Sequence, residues 1–72
     1  MPLVQISIPA GSLPPEKKAL MIKLVTEAVV EAEGIPVTAN TFVHINEVPD
    51  GGWGIAGQAV TLAQMKAKYG QA

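Results

Sequence analysis

The chain has no cysteine, no arginine and a single histidine among its 72 residues. Without cysteine, disulfides and thiolate metal sites are excluded, and His44 alone cannot hold a zinc ion, so no metal is expected. The five lysines carry all the side-chain positive charge. That matters because arginine is the usual two-pronged clamp for a carboxylate. The net charge is −1 and no basic run occurs, which argues against a nucleic-acid partner. No apolar run reaches membrane-spanning length, and the start lacks the basic and apolar regions of a signal peptide. The expectation is a cytoplasmic protein without a membrane partner.

What is present is apolar but not aromatic. Almost half the residues (49%) are hydrophobic and only 4% are aromatic, so Val, Ile, Leu and Ala must supply the core. A chain this short buries a modest fraction of its surface and usually needs a staple or a partner. With disulfides and metals excluded, association with further copies is expected.

Leu3 to Ile8 alternates Val4, Ile6 and Ile8 against Leu3, Gln5 and Ser7, the period of a strand ended by Pro9, Ala10 and Gly11. From about Pro14 to Glu33, Leu20, Met21, Leu24, Val25, Ala28 and Val29 recur at helical spacing. Pro14 and Pro15 fit its first turn, Gly34 fits its end, and Pro36 follows. Thr41 to Val48 alternates again, with Val43 and Ile45 opposite Phe42, His44 and Asn46. A strand, a long helix and a second strand predict a βαβ unit with parallel strands. The helix covers the Val4, Ile6, Ile8, Val43 and Ile45 face. Nothing left in the chain is large enough to cover Leu3, Gln5, Phe42 and His44, which predicts another subunit there. Pro49 to Gly57 reads as a turn and short hairpin around Trp53, and Thr61 with Gln64 forms a capping box opening a last helix that ends near Gly70. The fold class is α+β, a single domain over residues 1–72.

These segments resemble the 4-oxalocrotonate tautomerase group of the tautomerase superfamily. The resemblance rests on Pro2-Leu3-Val4-Gln5-Ile6, on the Gly11 turn into a helix bearing Glu16-Lys17-Lys18, and on the run from Asn46-Glu47-Val48-Pro49-Asp50 through Gly51-Gly52-Trp53-Gly54-Ile55-Ala56-Gly57. It implies a βαβ-plus-hairpin protomer forming homo-oligomers, preferably a trimer of dimers, with an amino-terminal proline at a subunit boundary. It further implies a cofactor-independent tautomerase or isomerase acting on a small enol or α,β-unsaturated carbonyl compound. In that setting Pro2, freed by removal of Met1, is a secondary amine that moves a proton as base and then as acid. A desolvated pocket lowers its preference for the charged form. While Met1 remains attached, the same nitrogen is an amide without basicity. Apart from the resemblance, Pro2 reads simply as a strand start.

Trp53 aligns with the aromatic residue that enters the family's pocket, a role compatible with packing at an interface. The family's two arginines fall at Ser12 or Leu13 and at Phe42, so neither position offers a cation and the founding activity on 2-hydroxymuconate is not expected. His44, Asn46 and Ser12 are the candidate hydrogen-bond donors to a substrate oxygen, though His44 reads more simply as a hydrogen-bonded residue at a subunit contact. Lys17 and Lys18 read as solvated charges, as do Glu47 and Asp50. Gly52, Gly54 and Gly57 spell a dinucleotide fingerprint, but Trp53 fills the space a pyrophosphate needs and no second βαβ half follows. The alternatives are a related hydratase, dehalogenase or decarboxylase, or a non-catalytic oligomeric module on the same scaffold binding a partner or small ligand.

Overall fold

The computed structural model describes residues 2–34 and 40–70; Met1 and Pro36 lie outside them. The first strand, β1, spans Leu3–Pro9, and the helix α1 spans Pro15–Glu33 with Pro14 as its amino-terminal cap and Gly34 after its end. The second strand, β2, spans Phe42–Val48. Both strands pair in parallel, with Leu3 opposite Phe42, Gln5 opposite His44 and Ser7 opposite Asn46. This is the expected βαβ unit, one residue longer at Pro9 and one shorter at Thr41.

Alternation decides which side of the sheet meets the helix. Val4, Ile6, Val43 and Ile45 are half-buried and Ile8, still 9% exposed, is the one buried residue among those described, whereas Leu3, Gln5, Ser7, Phe42, His44 and Asn46 are exposed. α1 packs against β2. The uncovered face is therefore the one predicted to need a partner. Its largest side chains, Leu3 and Phe42, retain 52% and 46% of their accessible surface. The chain measures 41 × 24 × 16 Å with a radius of gyration of 14.7 Å, against roughly 11 Å for a compact monomer of this length. Its 5074 Å² of accessible surface likewise exceeds the roughly 4,200 Å² typical of a monomer of 7.5 kDa.

The hairpin sits slightly later than its glycines suggest. Its arms, β3 at Gly54–Ile55 and β4 at Gln58–Ala59, pair antiparallel and leave Ala56-Gly57 as the two-residue turn. Both turn residues have positive φ, 53° at Ala56 and 82° at Gly57, the geometry that matches the twist of a hairpin. Glycine adopts it freely, but alanine does not. The last helix, α2, spans Leu62–Tyr69. As its sequence predicts, the Thr61 hydroxyl accepts from the Gln64 N–H at 3.2 Å and the Gln64 side chain accepts from the Thr61 N–H at 2.9 Å. Replacing Ala56 with Asn relieves the left-handed penalty and is expected to stabilise the protein by roughly 1 kcal/mol. Denaturant midpoints of the variant and the parent check this.

Candidate active site

Residue 2 is held at the edge of the ladder by one atom. The Phe42 N–H donates to the Pro2 carbonyl at 2.9 Å, which fixes Pro2 beside the start of β2 and leaves the proline nitrogen outside the ladder. Phe42, His44 and Asn46 follow along the uncovered face, running away from Pro2. Among the described residues no Lys, Asp or Glu stands on this face. It carries Leu3 and Phe42 near Pro2, then Gln5, His44, Ser7 and Asn46.

Ser12 and Trp53 belong to the opposite end. A seven-residue strand spans roughly 20 Å, and both residues lie beyond its far end. The Gly52 N–H donates to the Pro49 carbonyl at 3.0 Å, closing a turn that holds Gly52 against Val48, so Trp53 leaves from the finish of β2. The Trp53 carbonyl accepts from the Val60 N–H at 2.8 Å, which ties the base of the hairpin to the strand that returns from it. Trp53 itself is half-buried. One protomer thus brings Phe42 beside Pro2, sets His44 and then Asn46 progressively farther along the same face, Asn46 roughly 13 Å from Phe42, and leaves Ser12 and Trp53 past the far end.

Two carboxylates read as solvated loop groups have structural partners. Glu47 shares the parity of Val43 and Ile45, so it projects to the helix side, where the Lys18 ammonium donates to Glu47 Oε2 at 2.9 Å. The Gly11 N–H donates to Glu47 Oε1 at 3.4 Å. The clasp joins β2, the turn after β1 and the first turns of α1, so the expectation that Lys18 and Glu47 are merely solvated is corrected. Asp50 Oδ1 accepts from the Leu62 N–H at 2.9 Å and anchors the start of α2. Among the described residues no group of three or more metal-ligating side chains converges. No described helix is long and apolar enough to cross a membrane.

α2 docks on the turn between β1 and α1. Leu62 lies so close to Gly11 that a β-carbon there would stand 3.3 Å from Leu62 Cδ2, and the φ of 83° at Gly11 also favours glycine. Beside that contact is a cavity of about 180 Å³ lined by Pro9, Ser12, Leu62, Met65, Lys66, Tyr69 and Gly70. Lys66 did not emerge from the sequence as a site residue. Only the docking of α2 brings it to Ser12.

Comparison with known proteins agrees with this architecture. The model of the family described as "Tautomerase enzyme" matches residues 2–63. The chain is 49% identical over 57 residues to a 2-hydroxymuconate tautomerase of Pseudomonas putida, covering 79% of this chain and 87% of that protein. Among solved structures, it is similar to a 4-oxalocrotonate tautomerase isozyme from Methylibium petroleiphilum (40% identity, TM-score 0.73, 81% of this chain and 90% of that one). It is also similar to a heterohexameric 4-oxalocrotonate tautomerase from Chloroflexus aurantiacus (29% identity, TM-score 0.74, 82% and 92%).

The Lys18 and Gly11 hydrogen bonds hold the Glu47 carboxyl below its ordinary value of 4.5. A carboxylate with a depressed folded-state value contributes stability that is present above 4.5 and lost as pH falls through the lower, folded value. Thermal melts at pH 7 and below pH 4 are expected to show a smaller acid-induced drop in Tm for Glu47→Gln than for the parent.

Proposed function

The chain belongs to the tautomerase family and is a tautomerase, and we propose that its catalytic group is the Pro2 amine released when Met1 is removed. The observation that carries this reading is the placement of Pro2. Its carbonyl accepts from the Phe42 N–H, which seats residue 2 at the start of the uncovered sheet face beside Phe42. A free α-amino group titrates at about 8 in ordinary surroundings, and desolvation moves it toward neutrality. It takes a proton from the enol or from carbon next to a carbonyl, and returns it at another carbon of the conjugated system. The substrate class is a small enol or α,β-unsaturated carbonyl compound.

The rest of the site is assembled from more than one protomer. Trp53 and Ser12 are roughly 20 Å from Pro2 along the strands, so those of a neighbouring copy complete the pocket. There the neighbour's Trp53 lowers the polarity around the amine, and the donors to the enolate oxygen are His44, two residues along β2 from Phe42, together with Asn46 and Ser12 of the far end of the neighbouring copy. Phe42 gives the Pro2 end an apolar wall. The uncovered sheet face supports association into a homo-oligomer, as does an apolar groove of about 300 Å³ along α1, lined by Leu13, Lys17, Leu20, Met21, Leu24 and Val25. The trimer of dimers is the preferred assembly. One domain over residues 1–72 and a cytoplasmic location complete the reading.

Intact mass and assay test it together. The purified protein is expected to lack one methionine and, assayed with phenylenolpyruvate beside 2-hydroxymuconate, to ketonise at least the former, with Pro2→Ala slower by roughly a hundredfold or more. Equal rates for parent and variant reject Pro2 as the catalyst. Subunit mixing tests the shared pocket. Pro2→Ala and Trp53→Ala protomers, each weak alone, are expected to regain part of the parent rate when dissociated and reassembled together. Mixed oligomers with no gain over the separate variants show that both residues act from one chain.

A further inference from the structure

A conjugated acid presents a carboxylate, and in a chain without arginine the lysines are the leading side-chain candidates for its cation. Lys18 is held by Glu47, Lys17 lies with it in the first turns of α1, and Lys68 lies 5.5 Å from the centre of the Tyr69 ring. Lys23 lies midway along α1, and α1 packs on the side of the sheet opposite Phe42 and His44. Lys68 also lines a groove, against the hairpin, and Lys17 another along α1, but both are exposed, and Lys66 differs from them in being sheltered. It is half-buried, lines the small cavity beside Ser12, and has no acidic partner among the described residues.

Helix geometry explains why it is there. Leu62, Met65, Lys66 and Tyr69 stand at spacings of three and four along α2 and form one face. Leu62 is pinned to the β1–α1 turn by its contact with Gly11 and by the Asp50 bond to its N–H. The same docking carries Lys66, one turn later, to the wall shared with Ser12. No Asp or Glu lines that cavity, and the nearby carboxylates of Glu47 and Asp50 are both engaged elsewhere. The volume of about 180 Å³ admits a carboxylate group with its attached carbon, given that a water occupies about 30 Å³. The family match ends at residue 63, so Lys66 belongs to the part of the chain beyond it.

We infer that this cavity is a carboxylate-binding subsite in which the Lys66 ammonium and the Ser12 hydroxyl hold one carboxylate of the substrate. The inference rests on the reading that the Trp53 end of one protomer meets the Pro2 end of another. With one lysine at the subsite and an uncharged face around Pro2, the composite site matches a monocarboxylate enol in preference to a dicarboxylate such as 2-hydroxymuconate.

Calorimetric titration of the assembled protein with phenylpyruvate, a monocarboxylate, tests the subsite without requiring turnover. Lys66→Ala is expected to weaken binding about tenfold or more and Lys66→Arg to restore most of it. Pro2→Ala is expected to bind as the parent does. In assays, Lys66→Ala is expected to raise KM for phenylenolpyruvate by a similar factor with little change in kcat, and to leave the rate on its methyl ester unchanged. Parent-like binding by Lys66→Ala, no binding of phenylpyruvate by the parent, or an equal loss on acid and ester overturns the subsite. The catalytic reading fails separately, if Pro2→Ala keeps the parent rate while the titrations still depend on Lys66. A lysine that merely favours the end of α2 shifts Tm and leaves the titration unmoved.

Discussion

Parallel pairing of β1 with β2 governs nearly everything else in this protein. Two parallel strands cannot be joined by a tight turn, so the chain must travel back along the sheet, and α1 makes that crossover. The strands then begin together and end together. Pro2 stands at the common start, while Ser12 and Trp53 stand past the common finish. Residues that follow one another in the proposed chemistry are thereby kept apart in the protomer, and the uncovered face becomes the natural place for copies to meet. The same pairing puts α1 on the side of Val4, Ile6 and Ile8, leaving a surface with hydrogen-bonding groups and no charge on the other.

The electrostatic design follows from scarcity. With six acidic and five basic side chains, each ion pair removes a noticeable share of the charge available for binding. Glu47 takes Lys18 and so holds three segments in register at the far end of the sheet. Asp50 takes a backbone N–H, neutralising none of the lysines but positioning the helix that carries two of them. Among the described residues Lys66 has no acidic partner.

Much of this was legible in the residues themselves. The alternation of Val4, Ile6 and Ile8 and of Val43 and Ile45 gives both strands and their buried face, because a two-residue period survives in any strand with one face covered. The capping box at Thr61 and Gln64 is purely local and equally readable. The hairpin was less so. Glycines crowd the stretch before Trp53, but the turn uses Ala56 in a left-handed conformation that alanine does not advertise. Lys66 was not legible at all, because its meaning depends on Gly11 and Asp50 receiving Leu62, contacts between residues far apart in the chain. Glu47 lay in between: its parity on β2 was visible, but its partner on α1 was not.

The bond between Phe42 and residue 2 has one more consequence. The ladder grips that residue by its carbonyl, a group every amino acid possesses, so this anchoring bond does not depend on which side chain stands there. Folding and proton chemistry therefore place separate demands on the same position. Selection can alter the reactivity of the terminal amine, or discard it, without passing through a sequence that fails to fold.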